Sequence, residues 1–221
     1  MDLEDKNNKK FDKVRNKGLN LNHLEEKLMV SPFKKLMLSF FELKVFKSFI
    51  KSSNFDLTGK NILEVGCGAG YGIEQIYKTF KPKIYYAFDI DPKMVLLSFT
   101  KVKKRQIPVN VFLADVKETK LPSNRFDAVF AFTVLHHIEE WPNALKEINR
   151  VLKPKGLLLI NEISARSLNW FERYLKVSHP KKARFTWDIF TQSLIAANFL
   201  ILREFKFLKD LGFFLCIKQG N

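Results

Sequence analysis

Cysteine is almost absent from this chain of 221 residues, which contains only Cys67 and Cys216. Two thiols so far apart in sequence form neither a disulfide framework nor the closely spaced ligand pairs of a zinc site. Histidine is also scarce, with four residues, and no third ligand accompanies the adjacent pair His136 and His137 at metal-binding spacing. We therefore expect neither disulfides nor a bound metal.

Long apolar runs are missing as well. No stretch reaches the roughly 18 apolar residues that a transmembrane helix needs, and residues 1–18 lack the apolar segment of a secretory signal. Together with the few cysteines, these features predict a cytoplasmic location. Apolar residues nevertheless make up 46% of the chain, which is enough to bury a sizeable core in one α/β domain.

Arginine is scarce among the basic residues and supplies eight of the 38 Lys and Arg side chains. The formal net charge of +15 is typical of proteins with a nucleic-acid or anionic-membrane partner. Sites that read phosphates or guanines usually depend on Arg, however, because its planar fork binds two oxygens at once. The excess charge is also spread along the chain. A solvated basic surface is therefore favoured, and nucleic acid remains the less favoured partner.

Short apolar strands alternate with helices between residues 61 and 160. This alternation predicts βαβ units and a mostly parallel sheet covered on both faces. A further helix, Thr186 to Ala197, then precedes two strands whose short connection suits an antiparallel hairpin. The predicted strands are Asn61 to Val65, Ile84 to Phe88, Val109 to Leu113, Ala128 to Ala131, Leu157 to Ile160, Leu200 to Phe207 and Phe213 to Ile217.

The N-terminal part carries an apolar stripe at helical spacing, from Phe33 to Ile50. Ser31-Pro32 suits the start of a helix there, with Ser as N-cap and Pro at the first position. We expect these helices to pack on the core as a lid, and the alternative is an interfacial helix with peripheral membrane contact.

The nine glycines are few, yet three of them alternate where the first strand ends. Glycine permits a tight turn and lets a ligand approach the backbone, and open α/β sheets bind ligands at the carboxyl ends of their strands. A dinucleotide fingerprint would need glycine at position 71, where Tyr71 stands. Glu64, at the head of the turn, would repel a pyrophosphate and suits a ligand with a cationic amino group.

The motif Glu64-x-Gly66-x-Gly68-x-Gly70 resembles the first motif of the class I S-adenosylmethionine-dependent methyltransferases. The resemblance continues in register over about residues 58–162. The other segments that resemble the family are Tyr86 to Pro92, Leu113 to Val116, Phe126 to Ile138 and Val151 to Gly156. The stretch Leu-His-His-Ile-Glu-Glu resembles the branch that methylates small molecules, including enzymes of ubiquinone and menaquinone biosynthesis.

The resemblance implies a Rossmann-like α/β fold with an N-terminal helical cap. Its seven-stranded, mostly parallel sheet would have the strand order 3-2-1-4-5-7-6 and an antiparallel last strand. The chain would divide into an arm with cap helices, residues 1–57, and a cofactor-binding domain, residues 58–221. An insert near residues 163–185, rich in basic and aromatic side chains, would help to form the acceptor site.

The resemblance also implies S-adenosylmethionine as the cofactor. The glycines would approach its methionine portion, with Glu64 supporting that end, and Asp89 would accept hydrogen bonds from both ribose hydroxyls. Ile90 would pack on the adenine, whose amino group would donate to Asp115. The residues implied to bind the cofactor are Glu64, Gly66, Gly68, Gly70, Asp89, Ile90, Asp115, Val116 and Phe132.

The loop after the fourth strand, Phe132 to Leu135, distinguishes subfamilies. It lacks the Asn/Asp-Pro-Pro-aromatic motif of relatives that methylate amino groups of nucleic-acid bases, and it lacks the cysteine nucleophile used on pyrimidine carbon 5. His136 and His137 follow as candidate general bases, because imidazole titrates near neutrality. The alternative is that they shape the cofactor pocket or pack in the core.

Three functions are compatible with these features. The favoured one is methyl transfer to a small-molecule acceptor, which could be apolar. The first alternative is an RNA methyltransferase, and the second is an NAD-dependent oxidoreductase. Glu162, at the end of the fifth strand, could face the acceptor or serve the structure alone.

Overall fold

The computed structural model describes residues 41–175 and 180–220. The predicted N-terminal arm and the helix start at Ser31-Pro32 lie outside the described residues. So does most of the region 1–57 that we assigned to the arm and cap.

The described residues form an alternating series of helices and strands. The helices are α1 (Leu43–Ser52), α2 (Tyr71–Phe80), α3 (Pro92–Lys104), α4 (Trp141–Val151), α5 (Ala165–Leu175) and α6 (Trp187–Ala196). The strands are β1 (Asn61–Val65), β2 (Ile84–Asp89), β3 (Asn110–Leu113), β4 (Phe126–Phe132), β5 (Leu152–Ile163), β6 (Phe199–Phe207) and β7 (Leu211–Lys218). Two short 3-10 helices, Leu135–His137 and Lys181–Ala183, lie in the connections.

The strands pair into one seven-stranded sheet of order β3-β2-β1-β4-β5-β7-β6. The neighbours from β3 to β5 pair in parallel, whereas β7 is antiparallel to both β5 and β6. The predicted fold, including its strand order and antiparallel last strand, is confirmed. The parallel strands β1, β2, β4 and β5 end at the same edge of the sheet, which collects their carboxyl-terminal residues into one region.

The central strands are buried on both faces, as expected for a parallel sheet between two helical layers. All seven residues of β4 except Asp127 are buried. Side chains of α1, α2 and α3 pack with one face of the sheet in a single apolar cluster. Side chains of α4 and α6 belong to a second cluster on the other face. The core therefore consists of two apolar layers, one on each face of the sheet. The candidate site lies at the edge of the sheet where the parallel strands end.

Helix ends follow the local sequence signals. Asp91 caps α3 by accepting the Lys93 N–H at 2.8 Å, with Pro92 at the first helical position. Thr186 caps α6 by accepting the Ile189 N–H. Asn198 adopts a left-handed φ of +63° before β6, which Asn tolerates better than most residues. The helix predicted from Thr186 to Ala197 is confirmed as Trp187–Ala196.

Strand boundaries differ from the sequence prediction at β5 and β7. The segment Lys153 to Gly156, which precedes the predicted fifth strand, lies inside β5, where the pairing with β4 shifts register between Phe126 and Ala128. Two steps along β4 correspond to five along β5, from Leu152 to Leu157, so β5 accommodates three extra residues without ending. At the other end, β7 begins at Leu211, because Leu208 and Lys209 make the turn with left-handed φ values of +50° and +65°.

Candidate active site

The glycine turn connects β1 to α2 at the carboxyl edge of the sheet. Gly66, Gly68 and Gly70 have φ values of +65°, +51° and +74°, a region that residues with a Cβ rarely enter. No side chain caps the amino end of α2, which begins at Tyr71. The first N–H groups of a helix have no partner within the helix, so this end offers donors to an anionic group.

Two of these glycines also lie close to other parts of the protein. A Cβ at Gly66 would lie 2.5 Å from Cγ2 of Val134, and one at Gly70 would lie 3.2 Å from Cα of Ser98. The turn therefore holds the loop after β4 on one side and α3 on the other. Sequence reasoning attributed the glycines to a ligand and missed these contacts, which join residues far apart along the chain.

Asp89 ends β2 beside the turn and is buried. Its Oδ2 accepts the Gly68 N–H at 2.8 Å, and its Oδ1 accepts the Asp91 N–H at 2.9 Å. Burial raises the pKa of this carboxyl, and the two N–H donors oppose the shift. A carboxylate oxygen has two acceptor positions, so each Asp89 oxygen retains capacity for one more donor. This capacity fits the pair of ribose hydroxyls that the sequence assigned to Asp89.

Glu64 is fully buried beneath the turn. The Tyr85 hydroxyl donates to its Oε2 at 2.7 Å, and a Cβ on Gly72 would meet its Oε1 at 2.1 Å. Burial raises the pKa of Glu64 to about 8, and the nearby negative charge of Asp89 adds to the rise. Glu64 is therefore mostly protonated at pH 7. The sequence interpretation assumed an ionised side chain that repels pyrophosphate, and its role toward the methionine end stays a prediction.

Glu64→Gln is expected to stabilise the protein at alkaline pH. A carboxyl whose pKa is raised on folding contributes its full stability below its unfolded pKa near 4.5, and that stability is lost as pH rises toward 8. Glutamine removes the ionisation and keeps the size, so the gain at pH 8 should be roughly 2–4 kcal/mol. Urea unfolding at pH 5 and pH 8 measures it. Tyr85→Phe, which leaves the carboxyl in place, should keep the pH dependence, and an equal slope in Glu64→Gln and wild type would contradict the prediction.

The residues predicted to surround the adenine lie on the adjoining loops. Ile90 is half-buried, and Val116 is buried in the core. Asp115 accepts the Lys117 N–H at 2.9 Å and so acts as a turn residue. Phe132, at the end of β4, is buried with its ring stacked on Phe130. The adenine-binding roles of these residues stay predictions.

Glu162, at the end of β5, binds the loop that follows β4. Its Oε1 accepts the N–H groups of Val134 and Leu135 at 2.8 and 2.6 Å, and its Oε2 lies 2.7 Å from His136 Nδ1. The side chain is fully buried, and burial raises its pKa to about 7 against the effect of these N–H donors. Of the two roles left open by the sequence, the structure shows Glu162 bracing the loop.

The two predicted histidines differ in their surroundings. His136 is buried, with Nδ1 engaged by Glu162, and the His137 ring lies 4.1 Å from the His136 ring, centroid to centroid. Any proton transfer by His136 would therefore pass through Nε2. The catalytic role of either histidine stays a prediction.

A polar contact missed by the sequence analysis joins α1 to the ends of β4 and β5. Asn161 is fully buried, and its amide Nδ2 donates to Oε1 of Glu42 at 3.2 Å. The Asn161 carbonyl also accepts the Thr133 N–H at 2.9 Å. Phe132 and Phe213 pair with Asn161 on the neighbouring strands, and the Phe46 ring of α1 packs against both of their rings in the buried core. The contact therefore joins α1 to the sheet within the buried core.

The predicted acceptor insert is built around α5. Arg166, near the start of α5, pairs with Asp210 in the β6–β7 turn at 2.6 Å, and Arg184 pairs with Glu172. These ion pairs hold two of the insert's basic side chains against carboxylates of the same chain. None of the helices in residues 41–175 and 180–220 has the length and apolar composition of a membrane span.

Comparison with known proteins agrees with this geometry. Residues 63–160 match the family model described as a methyltransferase domain. Residues 63–160 form a methyltransferase domain. The recognised family and the cofactor that it implies, S-adenosylmethionine, are confirmed, and both are consistent with the sheet order.

Individual relatives of the methyltransferase domain cover different lengths. A fatty-acid O-methyltransferase of Mycolicibacterium smegmatis is 30% identical over 111 residues, which are 50% of this chain and 40% of that protein. A phthiotriol/phenolphthiotriol dimycocerosates methyltransferase of Mycobacterium leprae is 32% identical over 108 residues, 48% and 39% of the two chains. The chain thus spans about 40% of the length of these curated relatives.

Among solved structures, a SAM-dependent methyltransferase from Aquifex aeolicus superimposes with a TM-score of 0.69 at 25% identity. The alignment covers 88% of this chain and 97% of that one. The methyltransferase domain together with its flanking elements therefore resembles a protein of similar size.

Proposed function

We propose that this protein transfers the methyl group of S-adenosylmethionine to a small, lipid-like acceptor. The observation that carries the proposal is the carboxyl edge of the sheet. There, the left-handed glycine turn and the Asp89 carboxylate adjoin a loop that Glu162 holds in place. The domain match and the relatives named for lipid substrates support the same reading.

The residues at this edge fit the cofactor. Asp89 retains acceptor capacity for two hydroxyl donors, and the uncapped amino end of α2 would receive a carboxylate. A nicotinamide cofactor is less well supported, since its usual fold has a parallel strand order of 3-2-1-4-5-6. This sheet instead inserts an antiparallel strand next to β5. Glu64 would serve the amino group of the cofactor only after losing its proton.

When bound, the cofactor supplies a methyl group already activated on a sulfonium. The chain must then align the acceptor and exclude water, and such orientation contributes roughly 7–11 kcal/mol to lowering a barrier. A carboxylate acceptor needs no base, whereas a hydroxyl acceptor must lose a proton, for which His136 and His137 are the candidates.

The proposal is tested with purified protein and radiolabelled S-adenosylmethionine. The acceptors would be a long-chain fatty acid, an apolar phenol and unmodified transfer RNA, each assayed with wild type and with Asp89→Ala. We expect transfer to at least one apolar acceptor, none to RNA, and loss of transfer in the variant. Transfer to RNA alone would overturn the acceptor proposal. Failure to bind S-adenosylhomocysteine would overturn the whole assignment. The cytoplasmic location remains a separate prediction.

A further inference from the structure

The helices on the two sides of the sheet differ in charge. Helices α1, α2 and α3 together contain eight lysines and a single acidic residue, Glu74. Glu74 is buried, and its carboxylate is paired with Lys78 at 2.7 Å and with Arg105 at 2.8 Å. Helices α4 and α6, on the other side, contain two basic and two acidic residues. The outward side of α1, α2 and α3, here called the basic face, therefore carries an excess of positive charge.

Large apolar side chains project from the basic face at α3. Leu96, Leu97 and Phe99 are 65%, 45% and 50% exposed. The buried side of α3 is formed by Met94, Val95, Ser98 and Val102. With 3.6 residues per turn, the exposed Lys103 and Lys104 project on the same outward side as the three apolar residues. Apolar and cationic side chains are thus combined on one solvent-facing surface of the helix.

We infer that α3 and the surrounding basic face dock on an anionic phospholipid surface. Helices lying at a bilayer interface combine apolar residues, which enter the headgroup region, with lysines, which attract anionic lipids. Leu96, Leu97 and Phe99 would provide the inserted groups. Lys103 and Lys104 would contact the lipid phosphates.

Other occupants fit this surface less well. A second copy of the chain would bring two lysine-rich faces together, and like charges repel. Single-stranded RNA would be attracted by the lysines but binds mainly through stacking on aromatic rings. On α3 two of the three exposed apolar residues are leucines. The inference does not depend on the proposed methyl transfer, although a lipid-like acceptor would be encountered at such a surface.

The test measures binding of the full chain to vesicles of phosphatidylcholine alone or mixed with phosphatidylglycerol, by flotation. Wild type should bind the anionic vesicles, with affinity that falls as salt is raised, and should bind neutral vesicles weakly. Leu96→Ser/Phe99→Ser should lower the partition coefficient at least about tenfold, because two large apolar groups lose their transfer from water. Lys103→Gln/Lys104→Gln should lower it roughly five-fold per lysine.

Matched controls come from elsewhere on the surface. Ile189→Ser/Ile195→Ser removes two side chains of α6 that are 51% and 63% exposed, and Lys181→Gln/Lys182→Gln removes two exposed charges outside the basic face. Both should bind vesicles like wild type, and circular dichroism would verify that every variant is folded. The inference is overturned if wild type does not bind anionic vesicles. It is also overturned if the α3 variants bind them as strongly as wild type, or if the control variants lose as much binding as the α3 variants. Displacement from vesicles by equimolar transfer RNA would instead identify a nucleic-acid surface. The methyl-transfer assay tests the proposed function separately, so failure of that proposal can be distinguished from failure of vesicle binding.

Discussion

Glu162→Ala is expected to lower the free energy of unfolding by about 3–5 kcal/mol and to abolish methyl transfer. The substitution leaves the N–H groups of Val134 and Leu135 and the Nδ1 of His136 without their acceptor in a fully buried place. Removing one partner of a buried polar cluster costs the desolvation of every group left behind. Urea unfolding, followed by circular dichroism, measures the loss.

The loop after β4 should also lose its position against the glycine turn, because the Val134 side chain packs on Gly66. Cofactor affinity should therefore fall together with stability. Glu118→Ala, which removes an exposed carboxylate, is the matched control and should stay within about 0.5 kcal/mol of wild type. A Glu162→Ala protein that unfolds within 1 kcal/mol of wild type would show that the loop holds itself in place.

Glu162→Gln separates the structural role from catalysis. Its amide oxygen can still accept the two backbone N–H groups, whereas its NH₂ group would donate to His136 Nδ1 and place the imidazole proton on Nε2. If His136 is a base, kcat should fall steeply with little change in KM and in stability. Unchanged kcat in a folded variant would leave His136 with a structural role.

Asp89→Ala is expected to weaken binding of S-adenosylhomocysteine by at least about 10- to 100-fold. The substitution would remove the charged acceptor that we propose for both ribose hydroxyls, and hydrogen bonds to charged groups contribute about 1.5–3 kcal/mol. It also leaves the N–H groups of Gly68 and Asp91 unpaired, which loosens the glycine turn itself. Calorimetric titration measures the affinity.

Asp91→Ala is the matched control for this prediction. Asp91 lies two residues away and caps α3 through the Lys93 N–H, so its loss should cost about 1 kcal/mol of stability. Cofactor affinity should remain within about threefold of wild type. Equal losses of affinity in both variants would mean that Asp89 acts through the local backbone alone.

Much of the fold followed from local patterns in the sequence. The alternation of apolar strands with helices indicated the parallel sheet, and the helix predicted from Thr186 to Ala197 lies within one residue of its place in the structure. The bulge in β5 escaped prediction, because Lys153 to Gly156 has the composition of a turn. What keeps this segment in the strand is its pairing with β4. Asp127 of β4 adds two contacts beside this pairing, because its carboxylate accepts the Asn61 N–H and the Lys153 ammonium.

In the candidate site, too, local motifs could be predicted from the sequence, whereas contacts between distant residues could not. Roles for Asp89 and the glycines could be predicted because the motifs that carry the family resemblance lie within one βαβ unit and are a local property of the sequence. The two possible roles of Glu162 could not be separated, since its partners lie 26 to 28 residues away. The contact of Glu42 with Asn161 joins residues 119 positions apart. Nothing in the spacing of either residue indicated it.

By itself, the sequence determined the order of the elements and the glycine turn after the first strand, because chain geometry and polarity patterns act over a few neighbouring residues. Its motifs also carried the family resemblance that implies the cofactor. Tertiary structure alone decided the protonation of Glu64, the bracing by Glu162 and the combination of lysines with exposed leucines on the basic face. Each of these depends on which side chains lose contact with water, and that is settled only when distant segments pack together.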